Sequence, residues 1–134
     1  MSTDDNVKTI RSVYDAFGRA DLAAILDAVA DDVDWSSSVD SDEVPWWGER
    51  HGKDAVADFF VQLAGATELD EFTPLEIIGD GDTVLAVVRY RVTAKTTGRR
   101  ATMLLQHYWR FRDGKIAYYR GAEDSLLTLR TVVG

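Results

Sequence analysis

Three glycine-centred turns, Asp80-Gly81-Asp82, Thr97-Gly98-Arg99 and Asp113-Gly114-Lys115, divide the C-terminal half of the chain, with glycines 17 and then 16 residues apart. Glycine accepts the positive backbone angles of tight hairpin turns, and Asp-Gly between alternating apolar runs is a strong hairpin signal. The spacing predicts an antiparallel meander with strands of roughly 12 residues, about 40 Å long. Strands of that length twist and curl, so the sheet acquires a hollow side that something must cover.

The N-terminal half supplies the cover. Val7, Ile10, Val13, Tyr14 and Phe17 recur at helical spacing behind the capping candidates Thr3 and Asp4. Asp21 is placed to cap a short second helix striped with Leu22, Ile25, Leu26 and Val29. A strand over Val33 to Ser37 follows, then a loop from Val39 to Arg50 containing Pro45, Trp46, Trp47 and Gly48, then a third helix with Val56, Phe59, Phe60 and Leu63 on one face. The expected class is α+β, with three N-terminal helices packed on one side of a strongly curved, mainly antiparallel sheet. Nothing marks an internal boundary, so residues 1–134 are expected to form a single cone-shaped domain.

Composition removes whole classes of function. A formal charge of −8, with only Arg99-Arg100 adjacent among the basic residues, argues against nucleic acid and anionic membranes as partners. Cysteine is absent, which excludes disulfides and thiolate chemistry. His51 and His107 have no metal-ligand spacing, so no metal is expected, and no phosphate loop, nucleophile elbow or nucleotide fingerprint calls for a cofactor. The acidic, polar start MSTDDNVK does not resemble a secretory signal, and a cytoplasmic location is the expectation.

The segments YDAFGRADLAAILDAVADDVDW, PWWGERHGKDAVADFF and WRFRDGKIAYYR, in this order, resemble the polyketide-cyclase-like (SnoaL-like) branch of the nuclear transport factor 2 superfamily. The superfamily also contains ketosteroid isomerase, limonene epoxide hydrolase and scytalone dehydratase. The resemblance spans nearly the whole chain and implies a cone-shaped pocket. It leaves the chemistry open, because unrelated reactions and plain binding share this fold.

Strand alternation tests that pocket independently. Between residues 102 and 112 one face carries Met103, Leu105, His107, Trp109 and Phe111, and His107 is its only ionisable member. A lone histidine on an apolar face is more often a hydrogen-bonded core residue than a catalyst. The resemblance shifts that balance, because it places His107 where ketosteroid isomerase keeps a protonated Asp that donates to the substrate oxygen. Carried over residue by residue, the isomerase's base corresponds to Ser37, its pocket Tyr on the first helix to Val13 and a supporting Tyr to Phe60. With no base and no phenol at those positions, steroid isomerisation is not expected.

On the last strand the resemblance turns Tyr119, Gly121 and Glu123 inward, and Gly121 stands near a position where polyketide cyclases carry an acid. Glu123 could pair with His107 as acid and base, and Asp124 matches a frequent acidic position. The other reading makes Glu123 and Asp124 exposed caps of a segment from Ser125 to Leu129. The resemblance also places Trp35, Ser37 and Tyr90 inside the pocket and Trp46 and Trp47 in a loop at its mouth. The candidate catalytic residues are therefore His107 and Glu123, and the candidate substrate contacts are Trp35, Ser37, Trp46, Trp47, Phe60, Tyr90, Tyr119 and Asp124. These point to a small apolar ligand, polyketide-, terpenoid- or steroid-like, handled by a cofactor-independent isomerase, cyclase or dehydratase or held by a non-catalytic module. Leu85, Val87, Leu104 and Tyr108 alternate with Arg89, Arg91 and Arg110 on the outward face, and a homodimer through that face is expected.

Overall fold

A computed structural model describes residues 2–134. Helix α1 (Thr3–Gly18) begins one residue before the expected caps. The Ser2 hydroxyl accepts the Asp5 N–H and the Asp5 carboxylate accepts the Ser2 N–H, a reciprocal capping box that leaves Thr3 and Asp4 in the first turn. Helix α2 (Leu22–Asp27) is capped by Asp21, as its position predicts. Val29 is not on that helix. It opens strand β1 (Val29–Ser37), whose parallel pairing with the strand carrying Ile116 outweighs the local helical spacing.

The expected loop contains one short strand, β2 (Glu49–His51), paired to β1. Arg50 anchors this region by donating to the carbonyls of Pro45 and Ala55 and to the Asp58 carboxylate at 2.6 Å. Helix α3 (Lys53–Ala66) follows. The meander then runs through β3 (Thr67–Asp80), β4 (Thr83–Ala94), β5 (Arg100–Arg112) and β6 (Lys115–Ala122), turning at the three glycines. At the last turn Asp113 and Gly114 both have positive φ, 52° and 77°, the paired left-handed geometry that Asp-Gly tolerates best.

The sheet order is β2-β1-β6-β5-β4-β3, and every pairing is antiparallel except β1 with β6. Pro74 sits on the edge strand β3, where a missing N–H does no harm. Register shifts in β3 between Leu69 and Glu71 and between Pro74 and Glu76 add to the curl. Helices α1, α2 and α3 cover the hollow side, and the core there is built on Ile10, Val33, Trp35, Val56, Val84, Val88, Trp109 and Ile116. The chain also ends in a fourth helix, α4 (Ser125–Val132), which extends the expected short segment and closes over β4 and β5. Among the described residues no helix is long and apolar enough to cross a membrane.

Candidate functional site

Between the helices and the hollow side of the sheet lies a chamber of about 80 Å³. Alternation along β5 directs Leu105, His107 and Trp109 into it, while Leu104, Gln106 and Tyr108 face outward. β1 contributes Trp35 and Ser37, β6 contributes Tyr119 and Gly121, and α1 contributes Val13, Tyr14 and Phe17. Phe60 and Tyr90 also line it, as expected. The aromatic rings are mutually engaged: Tyr119 lies 4.2 Å from Trp35 and 4.4 Å from Trp109 between ring centroids.

The imidazole in this wall is His107, and its partner is a residue that sequence alignment does not single out. Tyr14 Oη lies 2.6 Å from His107 Nδ1, and Trp109 Nε1 donates to the same phenol oxygen at 3.2 Å. The expectation that no phenol remains is thus corrected. Val13 occupies the aligned position, but Tyr14, one residue on, reaches the pocket. Its hydroxyl was hidden in the sequence because Tyr14 fits the apolar stripe of α1 equally well. Burial disfavours the imidazolium and holds the His107 pKa down at about 3. Burial also raises the Tyr14 phenol well above its ordinary value, with the Trp109 hydrogen bond opposing.

Glu123 also lines the chamber, but it makes no hydrogen bond or ion pair with His107. Instead Oε1 accepts from Trp47 Nε1 at 2.9 Å and from Trp46 Nε1 at 3.4 Å, and Oε2 accepts from the Thr128 hydroxyl at 2.6 Å. The carboxylate is a knot that joins the loop, the end of β6 and α4. The two tryptophans expected at the pocket mouth are both buried in the core, their indole N–H groups satisfied by the acid that anchors them. Trp46 touches the chamber and Trp47 does not. Asp124 lies outside it, exposed, with its carboxylate accepting the Leu127 N–H as the N-cap of α4. His51 is exposed beside Glu49 at 3.8 Å.

Two further wall groups stand without partners. Trp35 Nε1 and Ser37 Oγ are buried and make no hydrogen bond among the described residues. Phe72, on the edge strand, packs edge-on against Tyr14 at 5.2 Å and completes the wall. No alternation argument singled it out, because the β3 bulges break the period. Beyond Phe17, Phe60, Leu63 and Tyr90 the chamber adjoins a second, larger recess of about 430 Å³, bordered by Leu22, Val61 and Leu69. Among the described residues no group of three or more His, Asp or Glu side chains is arranged to hold a metal ion.

A SnoaL-like domain profile matches residues 10–119. The chain belongs to the SnoaL-like domain family. Among solved structures, an NTF2-like protein of unknown function from Burkholderia pseudomallei is 32% identical, with 100% of each chain covered and a TM-score of 0.88. An NTF2-like protein from Burkholderia xenovorans is 26% identical over 98% of each chain, with a TM-score of 0.86. TerC, co-crystallised with polyporic acid, is 24% identical over 97% of this chain and 99% of its own, with a TM-score of 0.84, a likeness of fold. A search of curated proteins gives no match. The SnoaL-like assignment agrees with the α+β architecture, the curved sheet and the helical cover described above.

Proposed function

We propose that this SnoaL-like chain binds a small apolar molecule in the chamber and acts on it as a cofactor-independent isomerase, cyclase or dehydratase. The observation behind the reading is the Tyr14–His107 pair, a polar couple placed in a wall that is otherwise almost entirely aromatic and aliphatic. Apolar pockets with a few convergent polar groups are the usual form of small-molecule sites, and perturbed titratable groups cluster in them. Glu123 brings a carboxylate to the same chamber, and its Oε2 retains acceptor capacity beside Thr128. The polyketide- or terpenoid-like ring systems expected as substrates exceed the inner chamber. Their bulk would extend past Phe17 and Phe60 into the outer recess.

A non-catalytic reading is favoured by the size of the chamber. About 80 Å³ of inner space is well below the roughly 300–1,000 Å³ of ordinary ligand pockets, so the chamber is largely filled by its own side chains. Trp35 and Trp109 in the wall make intrinsic fluorescence a direct probe. Flat polyketide- and steroid-like ketones are expected to alter it saturably in the wild type and more weakly in His107→Ala, with turnover followed on the compounds that bind. Binding that is unaffected by His107→Ala, with no turnover of any bound compound, would establish the binding module instead.

A further inference from the structure

Glu123 is a carboxylate without a cation. Its oxygens accept from Trp46 Nε1, Trp47 Nε1 and the Thr128 hydroxyl, all neutral donors, which fill lone pairs and bring no positive charge. It forms no ion pair among the described residues. No Lys or Arg among them lines the chamber, and burial keeps His107 neutral, its pKa down at about 3. Arg50, 5.9 Å from the centre of the Phe59 ring, is not in the wall either, and Asp58 holds it at 2.6 Å. The chamber is therefore negative at one end and neutral elsewhere, which repels an anion and leaves a cation to supply the missing counter-charge.

Two aromatic rings stand at that end. Trp46 lines the chamber and touches the carboxylate, with Nε1 3.4 Å from Oε1. Tyr90 is reached through Thr128: the hydroxyl that donates to Oε2 lies 3.9 Å from Met103 Sδ, and Met103 is in register opposite Tyr90. Burial raises the Tyr90 phenol and the Glu123 charge raises it further, as a carboxylate close to the ring would. Tyr90 also borders the outer recess, so the recess adjoins this end of the chamber.

The wall also selects the kind of cation. Aromatic rings attract a positive charge through their negative faces, the more strongly the less water intervenes. Glu123 already accepts three hydrogen bonds, so of the roughly four lone-pair sites on a carboxylate about one is left. A primary ammonium, with three N–H donors, would be buried there with donors unmet. A quaternary ammonium has no N–H to satisfy, and its methyl groups suit an apolar wall.

We propose that the chamber takes a quaternary ammonium group beside Glu123, its methyl groups against Trp46 and Tyr90, with an apolar body extending past Phe60 into the outer recess. This rests on the chamber being a small-molecule pocket, and it adds a positive charge to the apolar ligand. Glu123 then has two tasks, since the carboxylate that ties the loop to α4 is also the counter-ion of the ligand.

The test is an NMR titration of the intact chain with three probes of matched shape: benzyltrimethylammonium, its uncharged isostere (2,2-dimethylpropyl)benzene, and the anion 2,2-dimethyl-3-phenylpropanoate. The cation is expected to bind about tenfold tighter than the hydrocarbon, within the range of a desolvated cation–π contact, and the anion more weakly than either. Overhauser contacts should join the N-methyl protons to the Trp46 and Tyr90 rings. Glu123→Gln, which keeps an acceptor for the two indoles, should remove most of the preference for the cation and leave the affinity of the hydrocarbon unchanged. Tyr90→Leu should weaken the cation severalfold, and Tyr90→Phe, which keeps the ring, should not. A wild type that binds cation and hydrocarbon equally overturns the proposal and leaves the pocket reading standing. So does a preference that survives Glu123→Gln, or a cation whose methyl contacts lie outside the chamber while the hydrocarbon enters it. If none of the three probes perturbs the chamber residues, both readings fail.

Discussion

Tyr14 determines what His107 can do. The histidine is buried among rings and its single hydrogen bond comes from a phenol 93 residues away in sequence, so the neutral imidazole is favoured twice, by desolvation and by the acceptor role of Nδ1. The sign of the pH dependence follows. In the unfolded chain the imidazole protonates near pH 6.5, whereas in the fold it resists until about 3. Between those values the unfolded state binds the extra proton, so stability contributed by a neutral His107 is fully present above the upper limit and is lost as pH falls, by about 1.4 kcal/mol per pH unit. Denaturation between pH 5 and 6.5 should give a slope that steepens toward that value as pH falls in the wild type, and a flatter profile in His107→Gln. NMR titration of the imidazole should also be unmoved by Glu123→Gln, because the acid is bonded to Trp46, Trp47 and Thr128. A His107 curve that shifts in that variant would restore a direct pair. At this scale the sequence was only half readable. Alternation put His107 on the inward face and the family resemblance turned Trp35 and Tyr119 the same way, yet nothing local reveals that a tyrosine in a helical apolar stripe has its hydroxyl aimed at a histidine on β5.

At the scale of elements, the knot at Glu123 ties three pieces together, and its removal separates packing from charge. Glu123→Ala leaves two buried indole N–H groups without an acceptor, each at a cost of about 1–3 kcal/mol, so a loss of several kcal/mol is expected in chemical denaturation. Glu123→Gln keeps an amide oxygen facing the indoles and should lose far less. An equal loss in both variants would mean that the negative charge, and not the acceptor geometry, holds the loop and α4. Asp124→Ala should cost about 1 kcal/mol, the usual value of an N-cap, and leave the chamber unaltered. The elements themselves were legible wherever period and punctuation agreed: the three glycine turns, the Asp21 cap and the inward face of β5 all lie where the residues put them. The exceptions come from strand pairing that local period does not encode: Val29 joins β1 by pairing opposite Ile116, far along the chain, and bulges in the β3–β4 hairpin shift the face on which Phe72 falls. Trp46 and Trp47 became core through a side-chain partner instead. Their anchor is an acid 77 and 76 residues away, invisible to any window that contains the two tryptophans.

For the whole molecule, the helices cover only one side of the sheet, and the other is apolar where it is most exposed. Ile78, Leu85 and Tyr108 lie in register across β3, β4 and β5, with relative exposures of 62%, 52% and 39%, and Leu104 is 49% exposed nearby. The rim around them is charged and already paired internally: Glu71 holds Arg91 at 2.8 Å and Arg89 at 3.8 Å, and Arg120 stacks on Tyr118 at 4.2 Å. An apolar centre with a charged margin is the layout of a subunit interface, and a two-fold axis through the centre would set each row against its own copy. The proposal is that two copies of this chain associate face to face through this side of the sheet, against a net charge of −8 on each that salt would screen. Sedimentation at micromolar concentration should give a dimer, more fully formed in 0.3 M than in 0.03 M salt. Leu85→Lys with Leu104→Lys places two buried cations against their mates across the axis and should yield a monomer whose circular dichroism and chamber fluorescence match the wild type, because both side chains point away from the core. A wild type that sediments only as monomer at every salt concentration would rule the interface out, and the exposed row would then be a surface awaiting a different partner.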